Sequence, residues 1–187
     1  MNRCGRCPKR ARDAPADPLQ LLDATLAGFD SRIDDLAEYE PQTSIHHFPQ
    51  PGVVAFRDLI LTAFPTTGSL GITRAPDVPG LSEHKEGRAW DWQVCRNCQS
   101  GLAETLLLWL LAPDLHGHAH AAARRFGIMY MIWDSRIWGA YAAEAGWRPY
   151  TGLNPHVDHV HFSFSRLGAL GRSSWWTSTS LDVASPS

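Results

Sequence analysis

The chain has 187 residues, enough for one domain with a sizeable buried core. Hydrophobic residues make up 44% of it and charged residues 19%, and the formal net charge is −2, so it lacks the strongly basic character of most nucleic-acid-binding domains. No apolar run approaches the roughly 18 residues of a membrane span, and no apolar segment follows the basic N-terminus as it would in a secretory signal. We therefore expect neither a nucleic-acid partner nor a membrane span.

The first forty residues divide into a tail and a helix. Residues 1–17 are rich in Pro, Ala and charge without periodicity, which predicts a disordered tail. Apolar residues spaced alternately three and four apart then predict an amphipathic helix over 18–41, closed by Pro41. Its narrow apolar seam suits either a short coiled coil, through which the chain could self-associate, or a helix docked on the domain.

The rest of the chain carries alternating helix and strand signals. In chain order, the predicted elements are a helix from 51 to 64, strands at 69–73 and 88–94, helices at 101–111 and 116–126, a hairpin over 129–141 and a strand at 159–164. Because the helices come first and most strands later, we expect an α+β domain over 45–177, with a small, mainly antiparallel sheet flanked by helices. A Ser-rich disordered tail is predicted at 178–187.

The four cysteines form two Cys-x-x-Cys pairs, Cys4 with Cys7 and Cys95 with Cys98. Four such thiols could hold a structural zinc ion. The two pairs lie much further apart than the ligand pairs of a zinc ribbon, however, so the spacing disfavours zinc. Disulfides, free thiols and a redox pair are the alternative interpretations.

The stretch SEHKEGRAWDW, residues 82–92, places His84 and Asp91 seven residues apart with Gly87 between them. That spacing fits neither one face of a helix nor one face of a strand. The two side chains can converge only if His84 lies on a loop that folds back over the start of a strand bearing Asp91. Glycine permits the backbone angles of such a turn.

A second candidate segment is HVDHVHFSF, residues 156–164, in which His159 and His161 would share one face of a strand. Hydrolytic zinc sites use three protein ligands and keep one position open for water. His84, Asp91 and His161 would supply two imidazoles and one carboxylate. We therefore predict a single catalytic zinc ion on these three residues.

Hydrolysis also needs a base and a positive group for the developing oxyanion. Asp158 and His159 are the nearest candidates for the base. Strict alternation would direct Asp158 away from His161, so spacing alone favours His159 unless the strand begins there. Arg74, at the end of the first predicted strand, is the candidate for the positive group.

These segments resemble two motifs of one protein superfamily. SEHKEGRAWD resembles the S-x-H-x-x-G-x-A-x-D motif of D-alanyl-D-alanine carboxypeptidases and hedgehog-like zinc peptidases, and DHVH resembles their second motif. The likeness covers roughly residues 50–177. The runs RRFGIMYMIWDSRIWG, GWRPYTG and GRSSWW resemble a branch found as the C-terminal domain of secreted actinobacterial proteins.

The resemblance implies roles for particular residues. His84, Asp91 and His161 would bind zinc, and Asp158 rather than His159 would be the general base. Many relatives carry Glu at the position of Asp158, and Asp is one methylene shorter.

By the same resemblance Arg74 would contact the carbonyl oxygen of the substrate, and Ser82 would line the site. His159 would either support the zinc ligands from behind or contact the transition state. All eight tryptophans lie between Trp90 and Trp176, where they could form the wall of a substrate cleft or fill the core. Trp133 and Trp176 are the candidates for substrate contact.

The implied activity is hydrolysis of a peptide amide bond, typically in peptidoglycan stem peptides, by a secreted or cell-wall-associated protein. The lack of a signal peptide in this chain leaves a cytoplasmic location open. The alternatives are a non-catalytic, zinc-containing module of the same fold that binds wall peptides or a protein, and a hydrolase of the sugar–peptide amide.

A rival histidine cluster, HGHAH at 116–120, has only Asp114 as a nearby carboxylate and is interpreted as solvated surface.

Overall fold

A computed structural model describes residues 18–178 of the chain. The predicted tail at 1–17, with Cys4 and Cys7, lies outside the described residues, as does the predicted C-terminal tail apart from its first residue, Ser178. No helix in the described range is both long and apolar enough to cross a membrane.

In the described part of the chain, six strands form one open sheet in which every neighbouring pair is antiparallel. The strands are β1 (Gly68–Gly71), β2 (Ala89–Gln93), β3 (Ile128–Trp133), β4 (Arg136–Gly139), β5 (Arg148–Pro149) and β6 (His159–Phe164). Their order across the sheet is β1-β2-β6-β3-β4-β5. Because β6 inserts between β2 and β3, the last strand of the chain occupies the centre of the sheet.

Within residues 18–178, six helices and two 3₁₀ segments complete the domain. The helices are α1 (Gln20–Ala27), α2 (Pro51–Ala63), α3 (Arg96–Leu111), α4 (Ala121–Phe126), α5 (Arg166–Ala169) and α6 (Ser174–Ser178), and the 3₁₀ segments are Glu83–Glu86 and Ala140–Ala145. The α+β class with an antiparallel sheet is therefore confirmed.

The two faces of the central strands have different chemistry. On β2, Trp90 and Trp92 point to one face and Asp91 to the other, because side chains alternate along a strand. Phe56 of α2 packs edge-on against Trp90 and against Phe162 of β6, which places the core on the helix-covered face. The polar residues of β2 and β6 consequently share the opposite face.

The N-terminal helix is much shorter than predicted. It ends at Ala27, and residues 28–50 form no helix or strand, so the prediction of a helix over 18–41 is wrong beyond its first part. The later apolar residues of the seam make separate tertiary contacts: the Phe29 ring lies 5.4 Å from the Trp175 ring and 4.2 Å below the Arg125 guanidinium carbon. Burial of Phe29 in these contacts outweighs the intrinsic helix propensity of the segment. Self-association through this segment stays a prediction.

The HGHAH segment does not begin a helix. Asp114 accepts hydrogen bonds from the backbone N–H groups of His116 and His118, both at 3.0 Å, and its other oxygen lies 3.0 Å from His118 Nδ1. His120 has a positive φ of 58°, and α4 begins only at Ala121. The carboxylate therefore closes a turn here, because Asp side chains compete for backbone N–H groups.

Cys95 and Cys98 are both disulfide-bonded. A disulfide sulfur is not a thiolate and does not serve as a zinc ligand. The zinc site considered for the four cysteines is therefore contradicted, and the bonded state of both residues agrees with a disulfide interpretation.

Candidate metal centre

Three side chains meet on the polar face of the sheet. Asp91 Oδ1 lies 2.9 Å from His161 Nδ1 and 3.2 Å from His84 Nε2, and these two nitrogens are 3.3 Å apart. Within residues 18–178 this is the only group of three or more His, Cys, Asp or Glu side chains close enough to share one metal ion. The structure thus brings together the three residues predicted as ligands.

The turn that precedes β2 brings His84 to the strand. Residues 83–86 form a 3₁₀ turn, which ends at Gly87 with φ +66°. A Cβ at this position would overlap the backbone carbonyl oxygen of Phe48, so glycine is required both by the left-handed conformation and by the close approach of the 48–50 backbone. The chain then enters β2, which places the carboxylate of Asp91 next to the His84 ring.

The orientation of the His84 ring is set by a backbone group. Its Nδ1 lies 2.8 Å from the carbonyl oxygen of Ile72. Since a carbonyl only accepts hydrogen bonds, Nδ1 carries the proton and Nε2 presents a lone pair to Asp91 and His161. Metal-binding histidines usually donate the N–H of their other ring nitrogen to a carbonyl or carboxylate in this way.

The charges of the three side chains suit a cation. Burial alone would raise the pKa of Asp91, but its polar contacts with the His161 and His84 rings outweigh burial and hold this pKa well below its usual range. Burial lowers the pKa of His161, although the Asp91 carboxylate opposes the shift. Metal ligands must be deprotonated, so an ionised Asp91 and a neutral His161 can both donate electron pairs to a metal.

Asp158 and His159 form a second pair at the edge of this cluster. His159 Nδ1 lies 2.7 Å from Asp158 Oδ1, and His159 Nε2 lies 3.7 Å from Asp91 Oδ1. Because β6 begins at His159, Asp158 precedes the strand, and the alternation of side chains along β6 does not fix the direction of its side chain. Its side chain is 27% exposed, so a substrate or water can reach the carboxylate.

Arg74 and Ser82 lie next to the His84 turn. The backbone N–H of Arg74 donates to the His84 carbonyl at 3.2 Å, and its side chain is exposed. Because β1 ends at Gly71, Arg74 belongs to the following loop rather than to the end of a strand. Ser82 is buried, and its carbonyl accepts a hydrogen bond from Lys85 N, so it helps to close the turn.

The two tryptophans predicted to contact substrate both pack against other side chains of the domain. Trp133 is 1% exposed and belongs to the core. Trp176 packs on Phe126 with ring centroids 5.6 Å apart, and Phe126 contacts Phe56 on the helix-covered face of the sheet. Burial in the core therefore disfavours substrate contact by Trp133, whereas Trp176 is only partly buried and its contact with substrate stays a prediction.

Three other residues surround the cluster and were not assigned to it from the sequence. Tyr130 stacks on His161 with ring centroids 5.4 Å apart and planes inclined by 21°, and its hydroxyl donates to Glu83 Oε2 at 2.6 Å. The ring of His156 lies 5.7 Å from the ring of His161 and 4.7 Å from that of His159.

Burial lowers the pKa of His156 to about 3, so His156 is neutral near pH 7. The sequence did contain a signal for His156 and Glu83, since each stands within a few residues of a predicted ligand. Tyr130 reaches the cluster only through the pairing of β3 with β6.

No curated protein and no solved structure matches the chain. A family model described as VldE, C-terminal domain, matches residues 46–161, a span that contains all three candidate ligands together with Asp158 and His159. Because this match covers more than half of the chain, the protein belongs to the family of VldE C-terminal domains.

Proposed function

We propose that this protein is a zinc-dependent hydrolase that cleaves an amide bond in peptides, with peptidoglycan stem peptides as the substrate class. The observation that carries the proposal is the convergence of His84 Nε2, Asp91 Oδ1 and His161 Nδ1 beside the Asp158–His159 pair. The resemblance of the two sequence motifs to zinc peptidases supports the choice of reaction and substrate.

The donor set fits zinc better than the hard divalent cations. Two imidazole nitrogens and one carboxylate oxygen are a ligand combination of hydrolytic zinc sites, whereas calcium and magnesium favour oxygen ligands. The Ile72 carbonyl already holds His84 in the tautomer that zinc requires. A zinc ion bound there would supply a Lewis acid that lowers the pKa of water to about 7 and polarises a carbonyl group.

In this proposal Asp158 takes up and releases the proton of the reaction. Its carboxylate is partly exposed and is held by the His159 ring, whose Nδ1–H donates to Asp158 Oδ1. Asp158 would accept a proton from the attacking water and return it to the leaving amine. His159 would act as the partner that keeps the carboxylate in position, with Nε2 directed towards Asp91.

Arg74 is proposed to stabilise negative charge on the substrate oxygen. Its backbone N–H donates to the His84 carbonyl, which anchors its loop beside a metal ligand, and its side chain is exposed. A fixed positive charge at a developing oxyanion stabilises the transition state more than the ground state.

A secreted or wall-associated location is also part of the proposal. The disulfide-bonded state of Cys95 and Cys98 supports it, because such bonds persist mainly in oxidising compartments. A peptidoglycan substrate would be met in that compartment.

The test is to incubate the full chain with purified muropeptides, with and without a chelator, and to weigh the products. Loss of a D-residue or cleavage within the stem peptide, abolished by the chelator and restored by zinc, is the expected result. Release of the intact stem peptide from the sugar would instead indicate a sugar–peptide amidase. Stoichiometric zinc with every muropeptide left intact would favour the non-catalytic binding module.

A further inference from the structure

The ring nitrogen of His161 that faces away from the proposed metal site lacks the hydrogen bond expected of a metal-binding histidine among the described residues. Nδ1 faces Asp91 and His84, while Nε2 is buried and has no hydrogen-bond partner among the described residues. Metal-binding histidines almost always donate their other ring N–H to a carbonyl, a carboxylate or water, and this bond orients the ring. Among the described residues, the orientation of the His161 ring therefore depends on contacts other than a hydrogen bond to Nε2.

Tyr130 occupies the position from which the ring can be held. In the β3–β6 register Ile132 lies opposite His161, and Tyr130 lies opposite Ser163, so Tyr130 and His161 project from the same face of the sheet. Their rings are stacked, with centroids 5.4 Å apart. Such an offset-stacked contact restricts the tilt of the imidazole.

The Tyr130 ring is itself tied to the other histidine ligand. Its hydroxyl donates to Glu83 Oε2 at 2.6 Å, and Glu83 is the residue immediately before His84. Glu83 is 5% exposed, and a hydrogen bond to a carboxylate is stronger than one between neutral groups, more so away from water. One hydrogen bond therefore joins the turn that carries His84 to the ring that supports His161.

We infer that Tyr130 and Glu83 are positioning residues that set the spacing and ring orientation of His84 and His161, in place of a hydrogen bond to His161 Nε2. This inference rests on the proposed metal site. Neither residue is required to touch the metal or the substrate. Their removal should weaken metal binding without unfolding the domain, since outer partners of metal ligands typically contribute roughly 10- to 100-fold in affinity.

The experiment measures zinc dissociation constants by chelator competition and records the absorption spectrum of the cobalt-substituted protein. Tyr130→Phe keeps the ring but removes the hydroxyl, and we expect zinc affinity to fall about 10-fold. Tyr130→Leu removes the stacking as well, and the loss should approach 100-fold with a changed cobalt spectrum. Glu83→Ala should resemble Tyr130→Phe, whereas Glu83→Gln, which keeps an acceptor oxygen, should restore most of the affinity.

Two controls separate positioning from general stability. Tyr141→Phe removes a hydroxyl from an exposed tyrosine that packs on Tyr39, and should leave both readouts unchanged. Combining Tyr130→Phe with Glu83→Ala should weaken binding no more than the larger single change, because both remove the same bond.

An unaltered dissociation constant and cobalt spectrum in Tyr130→Leu, in a chain that binds one zinc, would overturn the inference and leave the proposed function intact. A wild-type chain that binds no zinc would overturn the proposed function and the inference with it.

Discussion

Asp91 on β2 and His161 on β6 lie directly opposite each other in adjacent antiparallel strands, and their side chains meet with Asp91 Oδ1 2.9 Å from His161 Nδ1. The ladder of the central sheet therefore sets the position of two of the three candidate ligands. Only His84 depends on a turn. Sites built on strands are held more rigidly than sites built on loops.

Replacing His161 should abolish metal binding. His161→Ala removes one of three ligand atoms and leaves Asp91 with only His84 and His159 near it. We expect most of the zinc to be lost on dialysis, as measured by elemental analysis. His116→Ala, in the surface turn, is the matched control and should keep its zinc. Stoichiometric zinc in His161→Ala would contradict the assignment of this ligand.

Replacing Asp158 should separate metal binding from turnover. Asp158→Asn keeps the size of the side chain and its contact with His159 but cannot accept the proton, so kcat should fall roughly 10²- to 10⁴-fold while one zinc per chain is retained. The measurement pairs zinc content with kinetics on a muropeptide. Full activity would refute Asp158 as the base and return the role to His159.

The left-handed turn at Gly87 should be sensitive to a single methyl group. Gly87→Ala forces a φ of +66° on a non-glycine residue and places its Cβ against the Phe48 carbonyl. The free energy of unfolding should fall by about 1–3 kcal/mol or more in a urea titration. Gly101→Ala is the control: it lies within α3, where a Cβ meets nothing within 4 Å, and should stabilise the protein by up to about 1 kcal/mol.

Stability at acid pH should depend on Glu86. Burial alone would raise its pKa, but hydrogen bonds from Thr43, Ser44 and Arg88 outweigh this and lower it to about 2. A carboxyl group whose pKa is lowered by folding stabilises the folded state fully above its unfolded pKa of 4.5. That contribution, about 3 kcal/mol from the size of the shift, is lost as the pH falls from about 4.5 to about 2.

Glu86→Gln should therefore be less stable at neutral pH and lose less stability across this acid range. Urea titrations at a series of pH values measure both effects. Glu144→Gln, at an exposed position, should follow the unaltered protein. If the free energy of unfolding of Glu86→Gln falls with decreasing pH as steeply as that of the unaltered protein, other carboxyl groups govern acid unfolding.

Reduction of the disulfide-bonded Cys95 and Cys98 should weaken the region beside the candidate base. The backbone N–H groups of Val94 and Arg96, which flank Cys95, donate to the carbonyls of Asp158 and Val157. We expect a reducing agent to lower the free energy of unfolding by about 2–5 kcal/mol. A variant with all cysteines replaced by serine should not respond to the reductant. An unchanged stability of the native chain on reduction would contradict this role.

Local patterns in the sequence were sufficient for several parts of the molecule. The apolar run after Pro51 predicts α2, and the alternation of HVHFSF predicts β6 with His159 and His161 on one face, because side chains in a strand repeat with period two. Gly87 between His84 and Asp91 predicted a sharp turn, and the structure has one. These features depend on residues that are close in the chain.

Other features were decided only by contacts between distant residues. The seam after Ala27 has helical periodicity, yet Phe29 gains more from packing on Trp175 and Arg125 than the segment would gain from one more helical turn. Tyr130 reaches His161 only because β6 pairs with β3. The sequence by itself thus determined which residues could bind a metal. The strand order of the tertiary structure determined which side chains support those residues. Pairing between distant strands could not be predicted, because it produces no local periodicity in the sequence.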